Sequence, residues 1–296
     1  MKLRIATRGS AQATTQSEAV AAQLREAGHT VELVIVDTQG DRSQESNVPL
    51  HSIGGQGVFT KEIQAAVLDG RADLAVHSAK DLPTQPHPGL VIGAFTERRS
   101  AADALIGSTL AELPSGATVA TGSVRRRALL GRARRDLTFV ELRGNIPTRL
   151  ERIPEGGAIV MAVAALEVLG IYDQVAAEHG VEVLDPAEFV PAIGQGCVAV
   201  ECRADENGVR DALRAVDHAA TRAAVTVERA FLGELGSGCS LPVGAYARGT
   251  RLNVFLAAED SPAAVFDTLD LSGELADDIE LAQAAALRAR AQVAGG

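Results

Sequence analysis

At 296 residues and 30.7 kDa the chain is long enough for two or three domains with their own cores, and its 46% apolar residues contain no run approaching a membrane span. The net charge of −10 opposes nonspecific binding to nucleic acid. Three scattered cysteines, Cys197, Cys202 and Cys239, and six dispersed histidines fit neither a disulfide framework nor a metal-ligand spacing, so no metal is expected.

The opening Met-Lys-Leu-Arg-Ile-Ala-Thr-Arg goes straight into strand-like alternation without an apolar leader, from which a cytoplasmic location is expected. Residues 3 to 8 read as a strand, Gly9 and Ser10 punctuate, Gln16 to Ala27 reads as a helix ending at Gly28, and Thr30 to Val36 is the next strand. Strand, helix, strand begins a parallel sheet with a right-handed crossover and puts Arg8 and Ser10 at a strand's carboxyl end. Thr38 to Gly57 is a long polar, glycine-bearing connection of the kind that forms lids; it lacks the Gly-Lys-Ser/Thr of a phosphate loop. Val58 to Leu68 is an amphipathic helix. Leu74 to Val76 then suits a buried strand, and the sequence turns polar at once through His77, Ser78, Lys80 and Asp81 before Pro83. In open α/β sheets that edge is where ligands bind, and an ammonium beside a carboxylate there can hold a charged ligand and stabilise charge developing on it. A solvated Lys-Asp turn fits the same residues. Leu90 to Phe95 is one more strand, and Glu97 to Ala102 reads as a crossing into another domain.

The second unit repeats the alternation, with strands at Ala117 to Ala120, Thr138 to Leu142 and Ala158 to Val163, and a helix capped by Ser123 and running through Arg134. Against the acidic balance, nine arginines lie between Arg125 and Arg152, interrupted only by Asp136, Glu141 and Glu151. With only three lysines in the chain, this arginine is in part a habit of composition, but its planar fork is also what recognises carboxylates. Thr121, Ser123, Arg125, Arg126, Arg143 and Arg149 follow strand ends and crowd helix starts, where they would converge on anions. Two such units facing each other would form a cleft with acid-binding walls. Gly194, Gly196 and Ala199 match a dinucleotide fingerprint in spelling, but Val198 to Cys202 reads as a strand where that motif needs a helix, so the motif is rejected. A strand there could return to the first sheet, giving a discontinuous domain 1 of residues 1–93 and 194–214 and a domain 2 of residues 99–189, joined by a two-stranded hinge. Domain 3, residues 218–296, is a small α+β unit whose glycine-rich loop at 233 to 244 carries Cys239. Glycines around a thiol let it approach another group closely, though a small residue at a turn is an equally simple reading.

Taken together, the chain resembles the porphobilinogen deaminase (hydroxymethylbilane synthase) family from Arg4 to about Gly244. The matching motifs are Arg-Ile-Ala-Thr-Arg-Gly-Ser (4 to 10), His-Ser-Ala-Lys-Asp-Leu-Pro (77 to 83), Leu-Arg-Gly-Asn (142 to 145), Gly-Gln-Gly (194 to 196), Glu-Cys-Arg (201 to 203) and Gly-Cys-Ser-Leu-Pro-Val-Gly (238 to 244). The resemblance implies an α/β fold of two domains like type II periplasmic binding proteins, joined by a hinge, plus a small C-terminal α+β domain. It implies a transferase that joins four porphobilinogen units head to tail with loss of ammonia and releases hydroxymethylbilane. The primer would be a dipyrromethane cofactor held by a thioether to Cys239, and Asp81 would be the catalytic carboxylate. By the same match Ser78, Lys80, Asp81, Thr121, Ser123, Arg125, Arg126, Arg143 and Gly144 hold the cofactor, while Arg8, Ser10, Gln16 and Arg149 meet the incoming porphobilinogen. A monomer with no nucleic-acid or membrane partner is implied. The chain departs from the family pattern at Ser52 and Gln56, where lysines are common, at Gly122, where serine is common, at Val168, where arginine is expected, and in the polar run from Ser10 to Gln16. A ligand-binding module that no longer turns over is the alternative from another class.

Overall fold

The computed structural model describes residues 1–38, 60–236, 241–258 and 263–295, and the chain divides into two compact units. The first takes residues 1–99 and 196–223. β1 (Lys2–Thr7) leads into α1 (Ala11–Glu26), β2 (Thr30–Ile35), α2 (Lys61–Leu68), β3 (Leu74–Ser78) and β4 (Leu90–Phe95). Helix α1 starts at Ala11, five residues before the position read from the sequence. Ser10 caps it directly, its hydroxyl accepting from the Ala13 N–H at 3.3 Å, and the Thr14 hydroxyl bonds back to the Ser10 carbonyl at 3.1 Å. Polar residues that hid the apolar period are thus satisfied inside the first turn.

Residues 100–195 add β5 (Asp103–Ile106), β6 (Thr118–Ala120), α3 (Val124–Ala133), β7 (Thr138–Val140), α4 (Ile146–Leu150), β8 (Ala158–Ala162), α5 (Val163–Leu169), α6 (Tyr172–His179) and β9 (Val181–Val183). β10 (Val198–Arg203) and α7 (Asn207–Leu213) follow, then α8 (Ala219–Leu235), β11 (Val243–Arg248), β12 (Arg251–Ala257), β13 (Ala264–Asp270) and α9 (Leu275–Gly295). The second unit takes residues 100–195 and 224–296.

The two larger sheets share one plan. The first has strand order β2-β1-β3-β10-β4 and the second β7-β6-β8-β5-β9. In each, four strands point the same way and the fourth in order, β10 or β5, runs antiparallel to both its neighbours. That fourth strand is in both cases the first one laid down after the chain enters the unit, at Gly196 or at Ser100. Both faces of each sheet are buried, as parallel pairing requires. In the first unit Leu3, Ile5, Leu74 and Val76 pack with α1 and α7 on one face, while Ala6 and Ala75 pack with Ile63, Ala66 and Val67 of α2 on the other. In the second, Leu105, Ala158 and Val160 face Leu129 and Leu130 of α3, and Ala104, Ile106, Ile159 and Met161 face Leu166 and Val175. This is the α/β architecture expected from the sequence. The remaining sheet, β11-β12-β13, is antiparallel, with its own core of Phe231, Val254, Leu256, Ala282 and Ala286 shared with α8 and α9.

β10 follows Gly196 as a strand, paired with β3 and β4, which removes the dinucleotide spelling at 194 to 199 from consideration. The crossing read at Glu97 to Ala102 is followed at once by strand β5, which the sequence reading missed. The charge of Asp103 broke the apolar run that would have announced it. Val168, at a position where an arginine was expected, is a buried apolar residue of α5.

Candidate active site

In the first unit the polar groups gather where β1 and β3 end. Arg8 and Ser10 follow β1, and Ser78 closes β3 and donates its hydroxyl hydrogen to Gln16 Oε1 of α1 at 3.2 Å. The chain then makes a single 3₁₀ turn, Ala79–Asp81, pinned by the Ala79 N–H to the Cys197 carbonyl at 2.9 Å. Lys80 and Asp81 are exposed on that turn, while Ala79 between them and the strand is buried. The turn is anchored from below and its two charged side chains are left reaching solvent. Beneath it His77 and Glu201 are both buried, with His77 Nε2 3.0 Å from Glu201 Oε2, off the line a hydrogen bond needs. The same oxygen accepts from Gln64 Nε2 at 2.8 Å. Neither Glu201 nor Gln64 was singled out from the sequence as a working residue.

In the second unit the charged groups are inside. Thr121, just past β6, is fully buried and its hydroxyl accepts from the Ser123 N–H at 3.2 Å; Ser123 caps α3 by accepting from the Arg126 N–H. Asp103 of β5, completely buried, then takes both arginines. Arg125 Nη2 donates to its Oδ2 at 2.7 Å, and Arg126 Nε and Nη2 donate to its Oδ1 at 3.0 and 2.7 Å. Arg125 and Arg126 also reach the Val190 and Val160 carbonyls, at 2.8 and 2.9 Å, and Gln195 Nε2 donates to Asp103 at 3.0 Å. Burial by itself would push the Asp103 carboxyl up; the charges of Arg125 and Arg126 and their hydrogen bonds outweigh it and hold the group well below the usual carboxylate range. Burial draws Arg125 down from its ordinary value, with Asp103 opposing. One carboxylate thus stands among two guanidinium groups, which leaves a surplus of positive charge suited to an anion. Asp103 escaped the sequence reading, although a lone acid inside Ala-Ala-Asp-Ala-Leu-Ile was a signal that a buried partner existed.

Further along, Arg143 is 7% exposed, and its Nε is buried without a hydrogen-bond partner. Gly144 follows with φ +109°, a conformation that favours glycine, and a Cβ there would lie 3.0 Å from Thr148 Cγ2. Asn145 caps α4 by accepting from the Thr148 N–H at 3.0 Å, and Arg149 Nε donates to the Gly144 carbonyl at 2.8 Å. Arg143, Gly144 and Arg149 therefore belong to one compact turn.

Of the residues predicted from the sequence, the first unit groups Arg8, Ser10, Gln16, Ser78, Lys80 and Asp81 at one sheet edge. The second puts Thr121 and Ser123 at the start of α3, Arg125 and Arg126 on Asp103, and Arg143, Gly144 and Arg149 around α4. Cys239, Ser52 and Gln56, with most of the expected lid, lie outside the described residues. The other two cysteines are buried, and burial pushes the Cys202 thiol up to about 11, so it is a thiol and not a thiolate at neutral pH. Among the described residues no group of acids, histidines and cysteines could hold a metal ion, and no helix is long and apolar enough to cross a membrane.

Comparison with known proteins adds to this geometry. A family model described as porphobilinogen deaminase, dipyromethane cofactor binding domain, matches residues 3–211, and one described as porphobilinogen deaminase, C-terminal domain, matches residues 222–291. The chain is 46% identical over 250 residues to the porphobilinogen deaminase of Acidothermus cellulolyticus, covering 82% of this chain and 74% of that one. It is 45% identical over 276 residues to that of Mycobacterium leprae, covering 92% and 83%. Among solved structures it is similar to the methionine binding protein MetQ, with a TM-score of 0.46 and 15% identity over 75% of this chain and 92% of that one.

Proposed function

The chain belongs to the porphobilinogen deaminase family, and on that premise we propose how its own residues divide the work of the reaction. The family activity is that of hydroxymethylbilane synthase, a transferase of tetrapyrrole biosynthesis that condenses porphobilinogen units on a dipyrromethane cofactor. When bound, the dipyrromethane would supply the free pyrrole carbon that takes the first unit, each later unit joining the one added before it. The residues present suit such a group. Each pyrrole carries an acetate and a propionate, so a growing chain of them is a polyanion, and the observation that carries this reading is the buried cluster in which two guanidinium groups face one carboxylate.

In this reading Asp81 is the catalytic carboxylate. Loss of ammonia from the aminomethyl group of porphobilinogen pushes positive charge onto the pyrrole ring, and a carboxylate at the pyrrole N–H stabilises that cation. Its place on an exposed turn anchored from beneath lets the charge reach a ligand without moving the backbone. Lys80, Ser78, Thr121, Ser123, Arg125, Arg126, Arg143 and Gly144 hold cofactor carboxylates and ring groups, and Arg8, Ser10, Gln16 and Arg149 receive the substrate. Cys239 is the attachment point. What favours it is that Cys197 and Cys202 are buried and the Cys202 thiol is held protonated.

We keep the three-domain division 1–93 with 194–214, 99–189, and 218–296. In its favour, β11, β12 and β13 form a sheet of their own, which packs with α8 and α9. A cytoplasmic monomer completes the proposal. The test is the intact mass of the purified protein after incubation with porphobilinogen, beside a Cys239→Ser variant. Added mass equal to a dipyrromethane, present only with the thiol, is the expected outcome. Folded protein with no adduct would return the chain to the class of ligand-binding modules.

A further inference from the structure

The turn that carries Arg143 holds a second carboxylate, and the sequence around it makes room for that group. Glu141 lies between β7 and Arg143. Its Oε2 accepts from Arg127 Nη2 at 2.6 Å, and Arg127 is itself fixed by donating from Nε and Nη2 to the Thr121 carbonyl at 3.0 and 2.9 Å. Its Oε1 lies 3.5 Å from Arg143 Nε, an ion pair too long to count as a hydrogen bond, so the buried Nε remains without a partner. The two side chains differ in freedom: that of Glu141 is 43% exposed and that of Arg143 is 8% exposed. The site also depends on Gly122. A Cβ at that position would stand 2.6 Å from Glu141 Oε1, inside any allowed contact, and 3.2 Å from the Leu142 carbonyl.

We propose that Glu141 is a resident carboxylate that screens Arg143 in the ligand-free protein and is displaced by a ligand carboxylate when the cofactor or its precursor binds, pivoting on Arg127. It is a specificity-determining residue that acts through Arg143. The proposal rests on the reading of Arg143 as a carboxylate-holding residue. The geometry has the features that displacement needs. The seat is buried and fixed, its present occupant approaches without closing the hydrogen bond, and that occupant has both solvent and a second arginine to retreat to. An ion pair with one half-exposed partner and no hydrogen bond closed is weak, so a ligand that closes the hydrogen bond to Nε displaces it readily.

The test uses the full chain and porphobilinogen as the probe. Two quantities are read: the porphobilinogen concentration at which half the chains gain the dipyrromethane mass, and the ¹⁵N–¹H resonance of Arg143 Nε in ligand-free protein. Glu141→Gln keeps the shape and removes the charge; it should lower the half-loading concentration about threefold and shift the Nε resonance. Gly122→Ala forces Oε1 away from its place and should do the same, and the double variant should do no more than either single one. Arg143→Gln should raise the half-loading concentration. If it does so while Glu141→Gln leaves both readings unchanged, or if the Gly122 and Glu141 effects simply add, the displacement idea is overturned and the role of Arg143 stands. If Arg143→Gln leaves loading unchanged, the reading of Arg143 fails and the proposal falls with it.

Discussion

The two large sheets have the same strand plan and treat charge in opposite ways. At the edge of the first, β3 ends in a one-turn helix that leaves Lys80 and Asp81 exposed. At the edge of the second, α3 turns Arg125 and Arg126 inward onto Asp103, which has no exposed surface. The fold therefore does not decide whether a strand end presents charge to solvent or stores it. What decides is the partner: Asp103 sits on the antiparallel strand β5, next to β8, where a guanidinium on α3 can reach it, whereas the acid of the matching strand of the first sheet, Glu201 of β10, lies against His77 and Gln64. An exposed carboxylate can respond to a changing ligand. A buried triad has its geometry fixed by its own hydrogen bonds.

This contrast predicts different consequences for removing one carboxylate from each edge. Asp81→Ala should cost turnover by about a hundredfold to ten-thousandfold while leaving the cofactor mass and the unfolding midpoint unchanged; steady-state rates, intact mass and thermal melting check it. Normal product formation by that variant would remove Asp81 from the chemistry. Asp103→Asn should act the other way round, as a loss of stability of about 3–5 kcal/mol in urea unfolding, because it strands two buried guanidinium groups. Arg149→Leu, at the rim of the second site, should raise the porphobilinogen concentration needed for half-maximal rate about tenfold, as expected for the loss of a charged hydrogen bond, with little change in stability. The smallest effect concerns pH. Asp103 is held below its ordinary 3.8 in the folded protein, so its contribution is complete above that value and declines as pH falls from about 4 toward the lower folded value. Unfolding free energies of the parent chain should fall through that interval, and the Asp103→Asn variant should show a shallower slope.

Much of this was legible in the residues. The strand from Leu90 to Phe95 coincides with the one read from the sequence, because no charged residue interrupts it. The polar edges were legible because each buried strand turns polar at its carboxyl end, as at Val76 and Ala120. What was not legible was the pairing. Arg125 and Arg126 read as ligand arginines, but nothing local says that their first partner is Asp103, more than twenty positions earlier, since that contact exists only once β5 lies beside β8. β9 was not seen because Glu182 separates its only two apolar residues, Val181 and Val183. Glu141 was counted only as an interruption in an arginine-rich stretch, and its meaning comes from the space left by Gly122.

The position of β10 sets the order in which the molecule can be made. All five strands of the second sheet lie between Asp103 and Val183, so that sheet has its full complement of strands before residue 198 leaves the ribosome. The first sheet does not, because β4 joins it only through β10. Its final assembly waits for a strand encoded more than a hundred residues after β4, which raises its contact order and slows its closure. During synthesis the later sheet can be finished first. The nascent chain then carries the unmatched edges of β3 and β4 until β10 arrives, and it is in that interval that the protein is most exposed to pairing with the wrong strand.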